Sequence, residues 1–118
     1  MIVIVEDQKE VRLLLQEYFQ SLGKQVQTYA SAEDAMDDLQ QLQLYDISTI
    51  ISDYTLPGSH GIDFIQQVRA QLKPSLCMLI SGHLPDFVPE DIVVMSKPFR
   101  PSVLYQTMNV HLEKLAQA

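Results

Sequence analysis

Ile2-Val3-Ile4-Val5 is an unbroken β-branched run that stops abruptly at Glu6-Asp7. Such a run has no polar face to give to water. It predicts a strand buried on both sides, which a sheet covered by helices on both faces provides. The pattern then recurs. Ile47 to Ser52 runs into Asp53, Leu76 to Ile80 into Ser81-Gly82, and Ile92 to Met95 into Ser96-Lys97-Pro98, while Val26 to Tyr29 is a shorter strand candidate.

Between these runs the apolar residues fall at helical spacing. Val11, Leu14, Leu15, Tyr18, Phe19 and Leu22 form one set, closed by Gly23. Ala35, Met36, Leu39 and Leu42 form a second, opened by Ser31 with Asp34 three residues on, in the manner of a capping box. Ile62, Phe64, Ile65, Val68 and Leu72 make a third, ended by Lys73-Pro74, and Pro101 suits the first turn of a last helix through Val103, Leu104, Met108, Leu112 and Leu115. Leu56-Pro57-Gly58 is turn chemistry. Alternating strands and helices imply parallel pairing through right-handed crossovers. The expected fold is therefore α/β, a doubly wound five-stranded parallel sheet in one domain over residues 1–118.

Composition agrees with one core, because an apolar fraction of 47% in 118 residues is ample for a packed interior. The net charge of −7 opposes non-specific attraction to nucleic acid or to an anionic membrane. No direct nucleic-acid or membrane partner is expected. The longest apolar runs are too short to span a bilayer. Met1 leads straight into the first strand with no basic segment, so no secretory signal is read and a cytoplasmic location is expected. Cys77 is the single cysteine, and its neighbours Leu76, Met78 and Leu79 mark it as a small buried hydrophobe.

In an open parallel sheet, ligands bind beyond the carboxyl ends of the strands. Here those ends carry Glu6, Asp7, Asp53, Ser81 and Lys97. Crowded carboxylates repel, and at least one pKa should rise unless a cation is bound. Mg²⁺ suits such oxygen ligands and keeps waters that a phosphate can displace. A carboxylate is a competent nucleophile toward phosphorus. A lysine and a serine hydroxyl can bind the phosphoryl oxygens. Each acid alone is weak, since aspartates also end strands for structural reasons; together they are the parts of an acyl-phosphate site.

Four segments in this order, Val3-Ile4-Val5-Glu6-Asp7, Ser52-Asp53-Tyr54-Thr55-Leu56-Pro57-Gly58 followed by Gly61, Leu79-Ile80-Ser81-Gly82, and Lys97-Pro98-Phe99, resemble the receiver domains of two-component signalling across nearly the whole chain. The resemblance implies the flavodoxin-like receiver fold with strand order 2-1-3-4-5. It implies that Asp53 accepts a phosphoryl group from a sensor histidine kinase or a histidine phosphotransfer protein, and that Mg²⁺, with Mn²⁺ as a substitute, is the cofactor. Asp7 and Asp53 would hold the metal with the backbone carbonyl of Thr55, and Glu6, in place of the more usual aspartate, would act through a water. Ser81 would be the switch hydroxyl and Lys97 the phosphate-binding cation, aimed by a cis Lys97–Pro98 bond. Such a module is not an enzyme beyond assisting its own phosphorylation and dephosphorylation. A weak homodimer is compatible with it.

Two departures stand out. Gly82 to Asp91 is ten residues with Pro85 and Pro89 inside it, where receivers place a whole helix. An interior proline costs a helix about 3 kcal/mol, so the fourth helix is expected to be shortened or missing. Val94 stands three positions before the lysine, where the family often carries an aromatic switch residue.

His83 follows Ser81 by two residues, where the resemblance implies a side chain that can influence access of water to the site; an ordinary exposed loop histidine is the other reading. His60 and His111 read as surface, with no zinc-like spacing. Asp37-Asp38 reads as a solvated pair, and Tyr54 as either a shield or a packing residue. A phosphorylation-independent scaffold is the alternative function. An aspartyl phosphatase would need a second aspartate where Thr55 stands, and a flavin site would need a phosphate loop that the first strand lacks. The segment fits a stand-alone regulator and the receiver of a hybrid sensor kinase equally.

Overall fold

The computed structural model describes residues 1–56, 59–83 and 85–117, with Ser59 described by its backbone alone. The elements are β1 (Ile2–Val5), α1 (Lys9–Ser21), β2 (Val26–Tyr29), α2 (Ala32–Asp37), α3 (Leu39–Leu42), β3 (Thr49–Asp53), β4 (Thr55–Leu56), β5 (Ser59–His60), α4 (Gly61–Leu72), β6 (Leu76–Ser81), β7 (Ile92–Ser96) and α5 (Pro101–Gln117). The main sheet has five parallel strands in the order β2-β1-β3-β6-β7. This is the expected order, the higher numerals arising because the small antiparallel hairpin β4–β5 intervenes.

Strand alternation divides the interior in two. Val3, Val5, Ile50, Cys77 and Leu79 face Ala35, Leu42, Phe64, Ile65 and Val68 of α2, α3 and α4. Ile2, Ile4, Ile51, Met78 and Ile80 face Leu15 and Phe19 of α1 and Leu104 and Met108 of α5. Both faces are covered, which is why β1, β3 and β6 are buried at every position and carry near-continuous apolar runs, whereas the edge strand β2 exposes Gln27. At the end of α1, Gly23 takes φ +75° and the chain turns back, its N–H donating to the Gln20 carbonyl at 3.0 Å. Among the described residues, no helix is long and apolar enough to cross a membrane.

Three differences from the sequence reading have local causes. The second helix is broken in two at Asp38, which takes φ −97° and ψ 11°. Its carboxylate accepts a hydrogen bond from the Tyr29 hydroxyl, so Asp38 is partly buried; only Asp37 of the pair is fully solvated. Ser31 does cap this helix, accepting from the Asp34 N–H at 3.1 Å. The third strand begins at Thr49 rather than Ile47, and β6 and β7 each extend one residue further, to Ser81 and Ser96. Of the expected turn at Leu56-Pro57-Gly58, the last two residues lie outside the described ones. No helix occurs among the described residues 82–91, so the fourth helix of the expected pattern is absent there.

The Tyr29–Asp38 contact predicts a pH dependence. Burial first, and then Asp38, push the Tyr29 phenol above its ordinary range. The folded state holds this proton more tightly than the unfolded state does. Its contribution is full below the unfolded value near pH 10 and falls away as the pH rises beyond it. Tyr29→Phe should cost about 1 kcal/mol at neutral pH, and its deficit should shrink above pH about 10. Denaturation midpoints of the two proteins across that range check this, and a constant gap refutes it.

Candidate phosphoacceptor site

The sheet changes winding direction between β1 and β3, because β2 lies on one side of β1 and β3 on the other. The crevice at such a point lies beyond the carboxyl ends of the strands. Glu6 and Asp7 follow β1 there, and Asp53 ends β3. Carboxylate oxygens of the three lie within 4.8 Å of one another. Glu6 is fully buried, Asp53 is 7% exposed, and Asp7 is open to solvent.

Lys97 arrives from the end of β7, and its ammonium joins two of the acids. It donates to Glu6 Oε1 at 3.2 Å and Oε2 at 3.1 Å, and to Asp53 Oδ2 at 3.1 Å. Its backbone N–H donates to the Ser81 carbonyl at 2.7 Å, and the peptide bond to Pro98 is cis. Glu6 also accepts from the Gln8 N–H at 3.1 Å, so both of its oxygens are engaged. Burial and the neighbouring Asp53 charge raise the Glu6 pKa above the ordinary glutamate value, and Lys97 offsets this only in part. Burial alone would lower the Lys97 ammonium, but its bonds to Glu6 and Asp53 outweigh that and raise it.

Charge is the simplest test of what else would fit. Three carboxylates and one ammonium leave 3 − 1 = 2 uncompensated negative charges, the charge of one divalent cation. The donors are all oxygen, as Mg²⁺ requires, and Asp7 and Asp53 retain free oxygens for it. The residues fit the metal. Thr55 opens the hairpin strand β4 two residues beyond Asp53 and is exposed.

Ser81 ends β6 beside Ser96 and is buried. Its hydroxyl donates to the His83 carbonyl and accepts from the His83 N–H at 3.1 Å, so it is tied into its own loop. The His83 side chain is exposed. Val94 packs against the core below, with no ring at that position. Tyr54 contacts the core, so packing is the better account of it, and it stacks on His60, which is exposed as expected, with ring centroids 5.8 Å apart. His111 is half-buried rather than a plain surface residue, and Cys77 is buried as expected. Gln8 and Arg12 were not marked by any sequence pattern. Gln8 approaches Lys97 at 3.5 Å, and Arg12 donates to the Glu6 carbonyl at 2.9 Å.

Lys97→Met should destabilise the fold by about 3 kcal/mol, because it leaves Glu6 buried and charged without a partner. Adding Glu6→Gln to that variant should restore part of the loss, which a double-mutant cycle in urea measures. Equal costs with and without the second change would show that the pair is not coupled.

Relatives of known type match nearly the whole chain. A family model described as the response regulator receiver domain matches residues 2–109. The two-component response regulator PhoP of Pseudomonas aeruginosa is 30% identical over 96% of this chain and 52% of its own length. The aerobic respiration control protein ArcA of Escherichia coli is also 30% identical, over 92% of this chain and 50% of its own. The chain thus spans about half the length of these relatives. The crystal structure of the receiver domain from the hybrid histidine kinase CckA superposes with a TM-score of 0.82 at 25% identity, covering 94% of this chain and 97% of that one. With the sheet order, the acidic crevice and the matched span all in agreement, the chain belongs to the response regulator receiver domain family of two-component systems.

Proposed function

We propose that this domain accepts a phosphoryl group on Asp53 from the phosphohistidine of a sensor histidine kinase or of a histidine phosphotransfer protein. The observation that carries this reading is Lys97 Nζ at 3.1 Å from Asp53 Oδ2, in a crevice whose other two acids remain within 4.8 Å. Asp53 is the only one of the three that combines a strand-end position on the central β3 with direct contact to a cation and a small solvent opening.

In the transfer, a carboxylate oxygen of Asp53 attacks phosphorus, a P–O bond forms and the P–N bond to the imidazole breaks. The imidazole leaves with the bonding pair and takes up a proton. Asp7, Asp53 and the Thr55 carbonyl would hold Mg²⁺, with Glu6 acting through a water, and the ion would supply charge neutralisation at the phosphoryl oxygens. Lys97 contributes a second positive charge and orients Asp53. Ser81 must release both bonds to His83 before its hydroxyl can turn to a phosphoryl oxygen. Mn²⁺ shares the oxygen chemistry and substitutes. The domain turns over no other substrate.

A shallow apolar groove beside the site supports a protein donor. It has a volume of about 330 Å³ and is lined by Val11, Leu14, Pro98 and Phe99 together with Gln8 and Lys97. Leu14 is 52% exposed there, a side chain placed for an apolar partner helix. Lys97 contacts Asp53 as well as Glu6, beside a solvent-open Asp7, an arrangement that suits a phosphoryl acceptor better than a purely structural ion pair. The setting is the cytoplasm, where kinase and ATP-derived phosphate meet.

The test uses the intact chain with Mg²⁺ and a small phosphodonor such as acetyl phosphate. One phosphoryl mass should be gained, removed by hydroxylamine as an acyl phosphate is, and chelation by EDTA should abolish the gain. Labelling that survives hydroxylamine, or that ignores EDTA, defeats the proposal.

A further inference from the structure

Arg12 lies one turn into α1 and is half-buried. Its charge is the wrong one for its surroundings. The crevice beside it is built from carboxylates that fit a dication, and a guanidinium there opposes such an ion by Coulomb repulsion. Glu6, Asp7 and Glu10 all lie within six positions of it, yet among the described residues Arg12 forms no salt bridge. Its side chain goes to main chain instead: Nη1 donates to the Glu6 carbonyl at 2.9 Å, in a partly buried setting. A guanidinium that passes over neighbouring carboxylates for a peptide oxygen is placing backbone.

The bond completes a set. The Glu6 N–H donates to the Tyr29 carbonyl at 3.0 Å, and the Glu6 carboxylate accepts from Lys97 and from the Gln8 N–H, each at 3.1 Å. With Arg12 on its carbonyl, Glu6 is held at every hydrogen-bonding group it has. Asp7 is the opposite case. It is exposed, and among the described residues no hydrogen bond or salt bridge engages its carboxylate. Its place is inherited from the residue before it.

The Glu6 carbonyl and the Asp7 nitrogen belong to one planar peptide unit. The ladder to β3 has already ended at Val5–Ser52, so sheet pairing does not hold this plane. Arg12 does. Its donor rides on a firm element, because its backbone N–H bonds to the Gln8 carbonyl at 2.9 Å and α1 is seated by the buried Leu15 and Phe19. Once the plane is fixed, so is the direction in which Asp7 leaves the end of β1.

We propose that Arg12 is a positioning residue for the divalent metal: it holds the Glu6–Asp7 peptide plane so that the Asp7 carboxylate stays within reach of that of Asp53. The inference rests on the metal site assigned above to Asp7 and Asp53. Arg12 itself touches neither the ion nor the phosphoryl group. Its charge works against metal binding while its geometry works for it, so the two effects predict opposite signs. Mg²⁺ requires near-octahedral oxygen ligands, and partners that orient a metal's ligands are worth about 10–100-fold in affinity. Repulsion from a half-buried guanidinium is the smaller effect, since water and salt screen it.

Mn²⁺ titration of the intact chain tests this, with binding read from the loss of the paramagnetic resonance signal of free aqueous Mn²⁺. Arg12→Met keeps the aliphatic stem and removes both donor and charge. It should bind Mn²⁺ about tenfold more weakly than the wild type. Arg12→Lys keeps the charge and an ammonium donor, and should recover part of that loss. Repulsion alone gives the reverse order, with Arg12→Met the tightest of the three. Circular dichroism fixes the folded fraction to which each affinity is referred, so a change in stability by itself moves none of these values. Should Arg12→Met not fold, Arg12→Gln repeats the comparison with the same expected direction. Binding that is unchanged or tighter without the arginine overturns the proposal, as does an Arg12→Lys protein that binds no better than Arg12→Met. A wild type that takes up no Mn²⁺ sinks the metal site itself and this inference with it, whereas failure of the variants alone leaves that site standing.

Discussion

Asp53→Asn should take up no phosphoryl group from any donor while folding more stably than the wild type by about 1 kcal/mol. The amide is nearly isosteric with the carboxylate and can still accept from Lys97 through its oxygen, so the hydrogen bond at 3.1 Å survives. What it loses is nucleophilicity, and with it the acyl phosphate. What it also loses is a negative charge crowded against Glu6 and Asp7. The Asp53 charge is one of the causes that raise the Glu6 pKa, so Glu6 becomes easier to ionise and Lys97 serves it alone. Activity and stability should move in opposite directions, as they do where a site holds groups that the fold itself would not choose. Intact-mass labelling and urea denaturation without added metal give both readings from one preparation. Residual hydroxylamine-sensitive labelling would move the acceptor to another residue, and a variant less stable than wild type would mean that the acids are not in conflict.

Gly61→Ala should be nearly as damaging to the site as it is to the fold. A methyl group at this position would lie 2.1 Å from the carbonyl oxygen of Asp53 and 3.0 Å from both its carbonyl carbon and Leu79 Cδ1. Backbone cannot swing aside as a flexible side chain can. The first turn of α4 would have to lift off the end of β3, breaking the 2.8 Å bond from the Gly61 N–H to the Tyr54 carbonyl. A loss of about 3 kcal/mol is expected, at the upper end for overpacking because the obstacle is main chain. Phosphoryl uptake should slow as well, since the moved backbone carries Asp53. A cost below about 1 kcal/mol would show that the helix yields freely.

The central strands β1, β3 and β6 were legible because they are buried on both faces and so carry near-unbroken apolar runs, ended by Glu6, Asp53 and Ser81 at the crevice. The missing helix was legible for a different reason: Pro85 and Pro89 forbid it locally whatever the rest of the chain prefers. The break at Asp38 was hidden, because the apolar spacing of Met36, Leu39 and Leu42 continues through it and the bond from Tyr29 is tertiary. The site's membership could be read from strand ends, but not its internal pairing. Nothing in the order of residues says that Lys97 holds Glu6 as well as Asp53, or that the Ser81 hydroxyl is engaged by the His83 backbone. Those choices depend on sub-ångström placement of side chains from different elements. The close approach of Gly61 to Asp53 lies between these cases, since a glycine opening a helix is unusual but does not announce what lies above it.

Lys97 and Glu6 are 91 positions apart, and their contact joins the first strand to the last. A growing chain on the ribosome therefore displays its acids long before it has made the residue that balances them. Until β7 docks, Glu6 has no ammonium to offset its burial, and the crevice has no second positive charge to receive a phosphate. On the proposed function, a truncated product ending before the last strand would lack the Lys97 ammonium that contacts Asp53 and would take up no phosphoryl group.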